Sequence, residues 1–158
     1  MPITESDLAN ARKAWGDALI AIAKAYENEG IEAARTLAGR ILDTAYGYDL
    51  GPVLFKPTLA SGDKTFRPTR EGALAYFVGH DEAYPLDSGF GIKGWREVTS
   101  ESVAHFVEGD VGIWQGNINC IDRDGKVTRV DKTFGYKKIA DGTLKIILHH
   151  SSLPYQPR

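Results

Sequence analysis

Four polar residues, His149-His150-Ser151-Ser152, end an otherwise apolar segment that begins at Leu144. Read as a strand, this is core that runs out into imidazoles and hydroxyls, as a strand does when its end faces a cavity or an interface. An imidazole titrates near neutral pH and serves as a general acid or base when a carboxylate orients it. Asp131 is the candidate carboxylate and His150 the candidate imidazole. Such a pair could move a proton on a small cyclic or carbonyl substrate, or could simply fix the end of a sheet as a satisfied polar contact. Adjacent strand residues point to opposite faces, so His149 and His150 cannot hold one ion together and no metal site is expected. The one cysteine, Cys120, excludes a disulfide framework, a thiolate zinc site and an intramolecular redox pair, and reads as a small buried hydrophobe.

Other apparent motifs lose their chemistry in context. Gly89-Phe90-Gly91-Ile92-Lys93-Gly94 matches G-x-G-x-x-G, but a dinucleotide fingerprint follows a strand and opens a helix, whereas a loop precedes this one and a strand follows. Asp122-Arg123-Asp124-Gly125 resembles the start of a calcium loop without its distal glutamate and reads as a hairpin turn. There is no nucleophile elbow, no phosphate-binding loop and no Cys–His arrangement, and no cofactor is expected. Arg67, Arg70 and His80 could reach a cavity mouth, although solvated surface is the simpler reading.

The elements that must position these groups are legible from their periods. Leu8, Ala11, Trp15, Ala18, Leu19, Ile22 and Tyr26 form one stripe of a helix from Ser6 to Glu29, ended by Gly30. A second helix carries Ile31, Ala34, Leu37, Ala38 and Ile41 and stops near Tyr46. Val53-Leu54-Phe55 is a short apolar run, and Thr69 can cap a third helix from Arg70 to Val78. Residues 79–94 read as a loop. From Trp95 the period becomes two, with strands over 95–107, 111–121, 126–139 and 143–152, joined at Gly109, Asp124-Gly125 and Asp141-Gly142. Asp-Gly between alternating segments is a strong hairpin signal. The fold class is therefore α+β, a single domain over 1–158 with N-terminal helices packed on a strongly curved antiparallel sheet.

With two-residue hairpin loops, Asp131 lies opposite Ile118 and Ser152, Thr133 opposite Gly116 and His150, and Gly135 opposite Trp114 and Leu148. The more apolar set on the last strand is Leu144, Ile146 and Leu148, which places Trp114, Gly116, Ile118, Cys120, Arg129, Asp131, Thr133, Gly135, Leu148, His150 and Ser152 inward. Ionisable groups on that face cost on the order of several kcal/mol unless paired or met by a ligand. Gly116 and Gly135, side by side in mid-strand, would open space or bend the sheet. The expected pocket is lined by Trp15, Tyr76, Trp114, Arg129, Thr133 and Ser152 around Asp131 and His150. The opposite face carries Asn117, Asn119, Phe134, Tyr136 and His149, and its aromatics suggest a homodimer interface.

Composition bounds the partners. The 158 residues carry a formal net charge of −2, with 42% hydrophobic and 25% charged residues. That balance is typical of a globular protein and argues against a general nucleic-acid or anionic-membrane binder. The start has neither a basic nor an apolar segment of secretory type, and no apolar run is long enough to span a bilayer, so a cytoplasmic location is the expectation.

The order of N-terminal helices, a short helix and a long four-strand meander resembles the nuclear-transport-factor-2-like (SnoaL-like, cystatin-like cone) superfamily over nearly the whole chain. The ending Asp141-Gly-Thr-Leu-Lys-Ile-Ile-Leu-His-His-Ser-Ser-Leu-Pro is similar to SgcJ/EcaC-type proteins and to the association domain of calcium/calmodulin-dependent kinase II. The resemblance implies a cone with a deep pocket and a dimer packed through the sheet. Positions where kinase association domains hold anions with arginine fall at Gly116 and Gly135, so that chemistry does not carry over. A ketosteroid-isomerase-like pattern would need a tyrosine beside a carboxylate, with Tyr26, Tyr46 and Tyr76 as candidates beside Asp131. Three readings follow. The first is a homodimeric small-molecule-binding protein, the second a cofactor-independent isomerase, dehydratase or cyclase using Asp131 or His150, and the third an oligomerisation scaffold.

Overall fold

A computed structural model describes residues 2–158. Thr4 opens helix α1 (Glu5–Glu29) with a reciprocal cap, its hydroxyl accepting from Asp7 N–H while the Asp7 carboxylate accepts from Thr4 N–H. Gly30, at φ 93°, ends α1 and lets α2 (Ile31–Ala45) fold back beside it. A short strand β1 (Leu54–Lys56) leads to α3 (Arg70–Val78), where the Thr69 hydroxyl accepts from Gly72 N–H. Strands β2 (Trp95–Glu108), β3 (Val111–Asp122), β4 (Val127–Lys138) and β5 (Leu144–Ser152) complete the chain. The sheet order is β1-β5-β4-β3-β2, parallel at β1–β5 and antiparallel elsewhere. The α+β fold expected from the periods is present, with the helices on one face of a curved sheet.

Two loops that carry no period are pinned together beneath α3. Arg67, buried, grips the Asp87 carboxylate through both terminal nitrogens at 2.6 and 2.9 Å and donates further to the carbonyls of Lys64 and Gly72. Arg70 instead pairs with Asp43 on α2, and the His80 ring bonds to the Val78 carbonyl. Arg67 thus ties the two loops together, and Arg70 ties α3 to α2. Gly91, in the apparent G-x-G-x-x-G, packs so closely that a Cβ there would lie 2.7 Å from the Phe77 carbonyl oxygen.

Both Asp-Gly turns hold three residues where two are expected. The second shift, marked by Ile139 N–H on the Thr143 carbonyl, is undone by a bulge, and the first is not. Asp122 N–H bonds to the Lys126 carbonyl, so Arg123-Asp124-Gly125 forms a three-residue loop with Gly125 at φ 82°. Asp131 therefore lies opposite Asn117, and Thr133 opposite Gln115, one residue from the expected partners. The β4–β5 pairs Asp131↔Ser152, Thr133↔His150 and Gly135↔Leu148 are as expected. Beyond Gly135 the partner of Tyr136 is Ile146, so β5 holds an extra residue. That bulge lets Ile146 face inward and still turns His149 and Ser151 inward, leaving His150 exposed.

The inward layer is accordingly Trp114, Gly116, Ile118 and Cys120 on β3, but Val130, Lys132, Phe134 and Tyr136 on β4. Arg129, Asp131, Thr133, His150 and Ser152 lie on the outer side, which corrects their inward placement. Phe134 and Tyr136 are core, at 0% and 1% exposure, and cannot form a dimer face; Asn117 and Asn119 do face outward. Gly116 and Gly135 do not open a cavity. A Cβ at Gly116 would sit 2.2 Å from the Glu101 carbonyl oxygen, and one at Gly135 2.8 Å from Leu148 Cβ. At Gly116 the clash is with backbone, beside the bulge at Ser102–Ala104 that bends β2, whereas at Gly135 it is with the Leu148 side chain.

Candidate functional site

The inner face of the sheet carries polar groups where an aromatic core is expected. His149, 2% exposed, is stacked on Phe55 at 4.4 Å between centroids and lies 4.7 Å from the Phe134 ring. Its Nδ1 is 2.9 Å from the Tyr46 hydroxyl, and its Nε2 is 2.8 Å from Lys132 Nζ. Trp15 closes the chain from α1, its indole N–H donating to the Tyr46 oxygen at 3.1 Å. The Lys132 ammonium position lies 4.7 Å over the Trp15 ring.

Burial without a carboxylate sets the protonation of this group. It holds His149 well below the usual histidine range, the proximity of Lys132 adding to the effect. Burial also brings Lys132 down to about 7, and it raises the Tyr46 phenol well above its usual range. Cys120, the thiol on neighbouring β3, is pushed up to about 11 by the same cause and stays protonated.

One step further along β5, Ser151 presents a second polar group on the same face. Its Oγ is 2.5 Å from Thr58 Oγ1, and its carbonyl accepts from Lys56 Nζ at 2.9 Å. The Tyr76 hydroxyl accepts from Leu59 N–H at 3.1 Å; burial pushes this phenol up to about 12, with hydrogen bonding from Leu59 and Thr58 opposing the shift. Thr58, Tyr76 and Ser151 thus form a hydroxyl cluster, and His149, Tyr46 and Lys132 an imidazole–amine cluster. Lys132 links the two, since it stands opposite Ser151 in the ladder and reaches His149. Hydroxyls and N–H groups of this kind donate to or accept from a small planar oxyanion, and the aromatic walls exclude water from it. Behind Tyr46 a void of about 10 Å³, lined by Trp15, Leu19, Leu42 and Phe77, has the size of one water.

The residues singled out from the sequence divide. Trp15 and Tyr76 stand at the clusters. Trp114 is inward and buried, but its indole donates to Ser102 and its ring packs under Arg12. Asp131, Thr133, His150 and Ser152 do come together, yet in a shallow outer groove of about 340 Å³, where Asn117 donates to the Asp131 carboxylate at 2.8 Å. Arg129 pairs with Glu101 on the same exposed face. Sequence reasoning does not single out Thr58, Lys132, His149 or Ser151 for the pocket, and it offers Tyr46 only as one of three candidate tyrosines. The alternation Val130-x-Lys132-x-Phe134-x-Tyr136 was the available signal, being more apolar than Arg129-x-Asp131-x-Thr133-x-Gly135. Thr58 lies in a loop and has no periodic signal at all.

Among the described residues, no group of three or more His, Cys, Asp and Glu is placed to hold a metal ion, and no helix is long and apolar enough to cross a membrane.

Known proteins share this arrangement of elements. The crystal structure of an iota-carbonic anhydrase from a cyanobacterium, complexed with bicarbonate, superposes with a TM-score of 0.97 at 51% identity, over 99% of this chain and 95% of that one. A metal-independent carbonic anhydrase of Nostoc sp. (strain PCC 7120) is 52% identical over 154 residues, 98% of this chain and 75% of the relative. More distant is a calcium/calmodulin-dependent protein kinase II association-domain protein from Xanthomonas campestris, at TM-score 0.57 and 21% identity over 95% of this chain and 87% of that one. It shares the nuclear-transport-factor-2-like fold. Residues 6–153 match the family described as metal-independent carbonic anhydrase, and the chain belongs to that family.

Proposed function

We propose that the protein interconverts carbon dioxide and bicarbonate at the inner-face hydroxyl cluster. The observation that carries this reading is the buried set of Thr58, Tyr76 and Ser151 beside the Lys132–His149 pair, with the nearby Asp87 carboxylate neutralised by Arg67, in a chain so similar to a bicarbonate-bound relative. Bicarbonate is a planar anion with one O–H donor and several acceptor lone pairs. Hydroxyls suit it because each can donate or accept. The 2.5 Å Thr58–Ser151 bond is the contact the ligand replaces. Apolar walls from Phe55 and Phe134 suit carbon dioxide, which has no dipole.

In hydration, the water oxygen bonds to carbon, one C=O π pair moves onto its oxygen, and one proton leaves. The hydroxyls orient the water and donate to the oxygen that gains charge. Holding both at fixed distance supplies orientation and electrostatic stabilisation together. The nearest base for the departing proton is the uncharged Lys132 amine, since burial disfavours a charged His149.

Stopped-flow measurement of carbon dioxide hydration tests this. Ser151→Ala and Thr58→Val should each lower kcat/KM by roughly ten- to a hundredfold, the scale of one lost donor to a developing oxyanion, with unchanged circular dichroism. Hydration by wild type no faster than buffer, or variants as active as wild type, overturns the reading.

A further inference from the structure

Lys132 is a buried amine for which no carboxylate partner exists among the described residues. The groups facing it come from every element packed around it. They are His149 from β5, the Cys120 thiol from β3, the Trp15 indole from α1 and the Phe134 ring on its own strand. Tyr46 acts on it through His149, and His150 acts on His149 from the outer face.

With a neutral ring, an ammonium at Lys132 permits only the Nδ1–H arrangement. An uncharged amine, which can donate or accept, favours the Nε2–H arrangement because that alone gives the Tyr46 O–H an acceptor. The Trp15 indole N–H is a donor only, so the Tyr46 oxygen accepts from it in both. In the Nε2–H arrangement, Tyr46 O–H donates to His149 Nδ1. The neutral ring then donates from Nε2 to Lys132 Nζ, which accepts only as an uncharged amine. Each of these hydrogens has an acceptor. In the Nδ1–H arrangement that the ammonium imposes, Lys132 donates to Nε2, so the ring hydrogen moves to Nδ1 and donates to Tyr46. The Tyr46 O–H then loses the acceptor it had.

We propose that Lys132 is a positioning residue for His149, in which one proton gained or lost at Nζ switches the ring hydrogen between Nδ1 and Nε2. The ammonium state also sets a positive charge beside Ser151, on the side of the site where bicarbonate would carry its negative charge. The link to rate rests on the proposed carbonic anhydrase reading; the tautomer switch does not. Since burial lowers Lys132 to about 7, both states are populated near neutrality.

Long-range nitrogen–proton correlation spectra of ¹⁵N-histidine-labelled protein read the tautomer directly, with His149 identified by the peak missing in His149→Asn. Wild type should show the Nε2–H tautomer above about pH 7 and the Nδ1–H tautomer below it. Lys132→Met should show one tautomer on both sides. The same tautomer throughout in wild type, a ring that charges to imidazolium, or a switch that persists in Lys132→Met overturns the proposal. The wild-type spectra decide even if the variant fails to fold. In the hydration assay, kcat/KM of wild type should inflect at the same pH and that of Lys132→Met should not; a flat wild-type profile overturns the link to rate. An absence of hydration refutes the functional reading, while the spectra still decide the switch.

Discussion

At the scale of single residues, the site consists of groups whose charge is suppressed by burial. Lys132 has the clearest thermodynamic signature. In the unfolded chain it holds its proton up to about 10.5, and in the folded protein only to about 7. Between these values the unfolded state binds more protons, so stability rises with pH, and the cost of the buried charge is present in full below about 7. The unfolding free energy of wild type relative to Lys132→Met should therefore climb by about 1.4 kcal/mol per pH unit through that window. Urea titrations of both proteins at several pH values measure it, and a constant difference would show that Lys132 is not buried as a free amine. Tyr46, Tyr76 and Cys120 titrate in both proteins, so the comparison cancels them.

At the scale of elements, a turn and a bulge decide what faces the core. The three-residue turn at Arg123–Gly125 and the extra residue in β5 put Lys132, His149 and Ser151 inside and Asp131 and His150 outside. Each Asp-Gly pair correctly announced a hairpin, but loop length sets the parity of everything beyond it. Gly116 has a related role. A Cβ there would meet a backbone carbonyl, which cannot move aside as a flexible side chain could. Gly116→Ala should cost about 2 kcal/mol or more, read as a fall in melting temperature and in the urea midpoint. An unchanged melting temperature would mean that β2 shifts freely at its bulge.

At the scale of the whole molecule, the outer sheet face stands open. Val103, Phe106 and Ile113 are exposed at 75%, 63% and 38%, with Phe106 and Ile113 cross-strand partners. The expected homodimer, which cannot use Phe134 and Tyr136, is proposed to use this patch instead. Light scattering on eluting protein should give a dimer for wild type and a monomer for Phe106→Glu, with the proposed carbon dioxide hydration retained. A wild-type monomer would remove the dimer, and a dimeric variant would remove the patch.

The order and limits of the elements were legible in the sequence alone, because caps, periodicity and turn residues act within a few positions of the chain. Thr69 and the stripe from Leu8 to Tyr26 carry their own instructions, and so does the change from period 3.6 to period 2 at Trp95. The presence of a histidine and serine end on the last strand was legible too. Which of those residues line the site was not. That depended on one extra residue in a turn and one in a bulge, small local choices settled by packing of the whole sheet against the helices. The site joins Tyr46, Thr58, Tyr76 and Lys132 to His149 and Ser151 of β5, and these segments meet only after long loops close. Long-range burial also creates the chemistry, since an amine, an imidazole and a phenol hold unusual protonation states only where tertiary structure has taken water away from them.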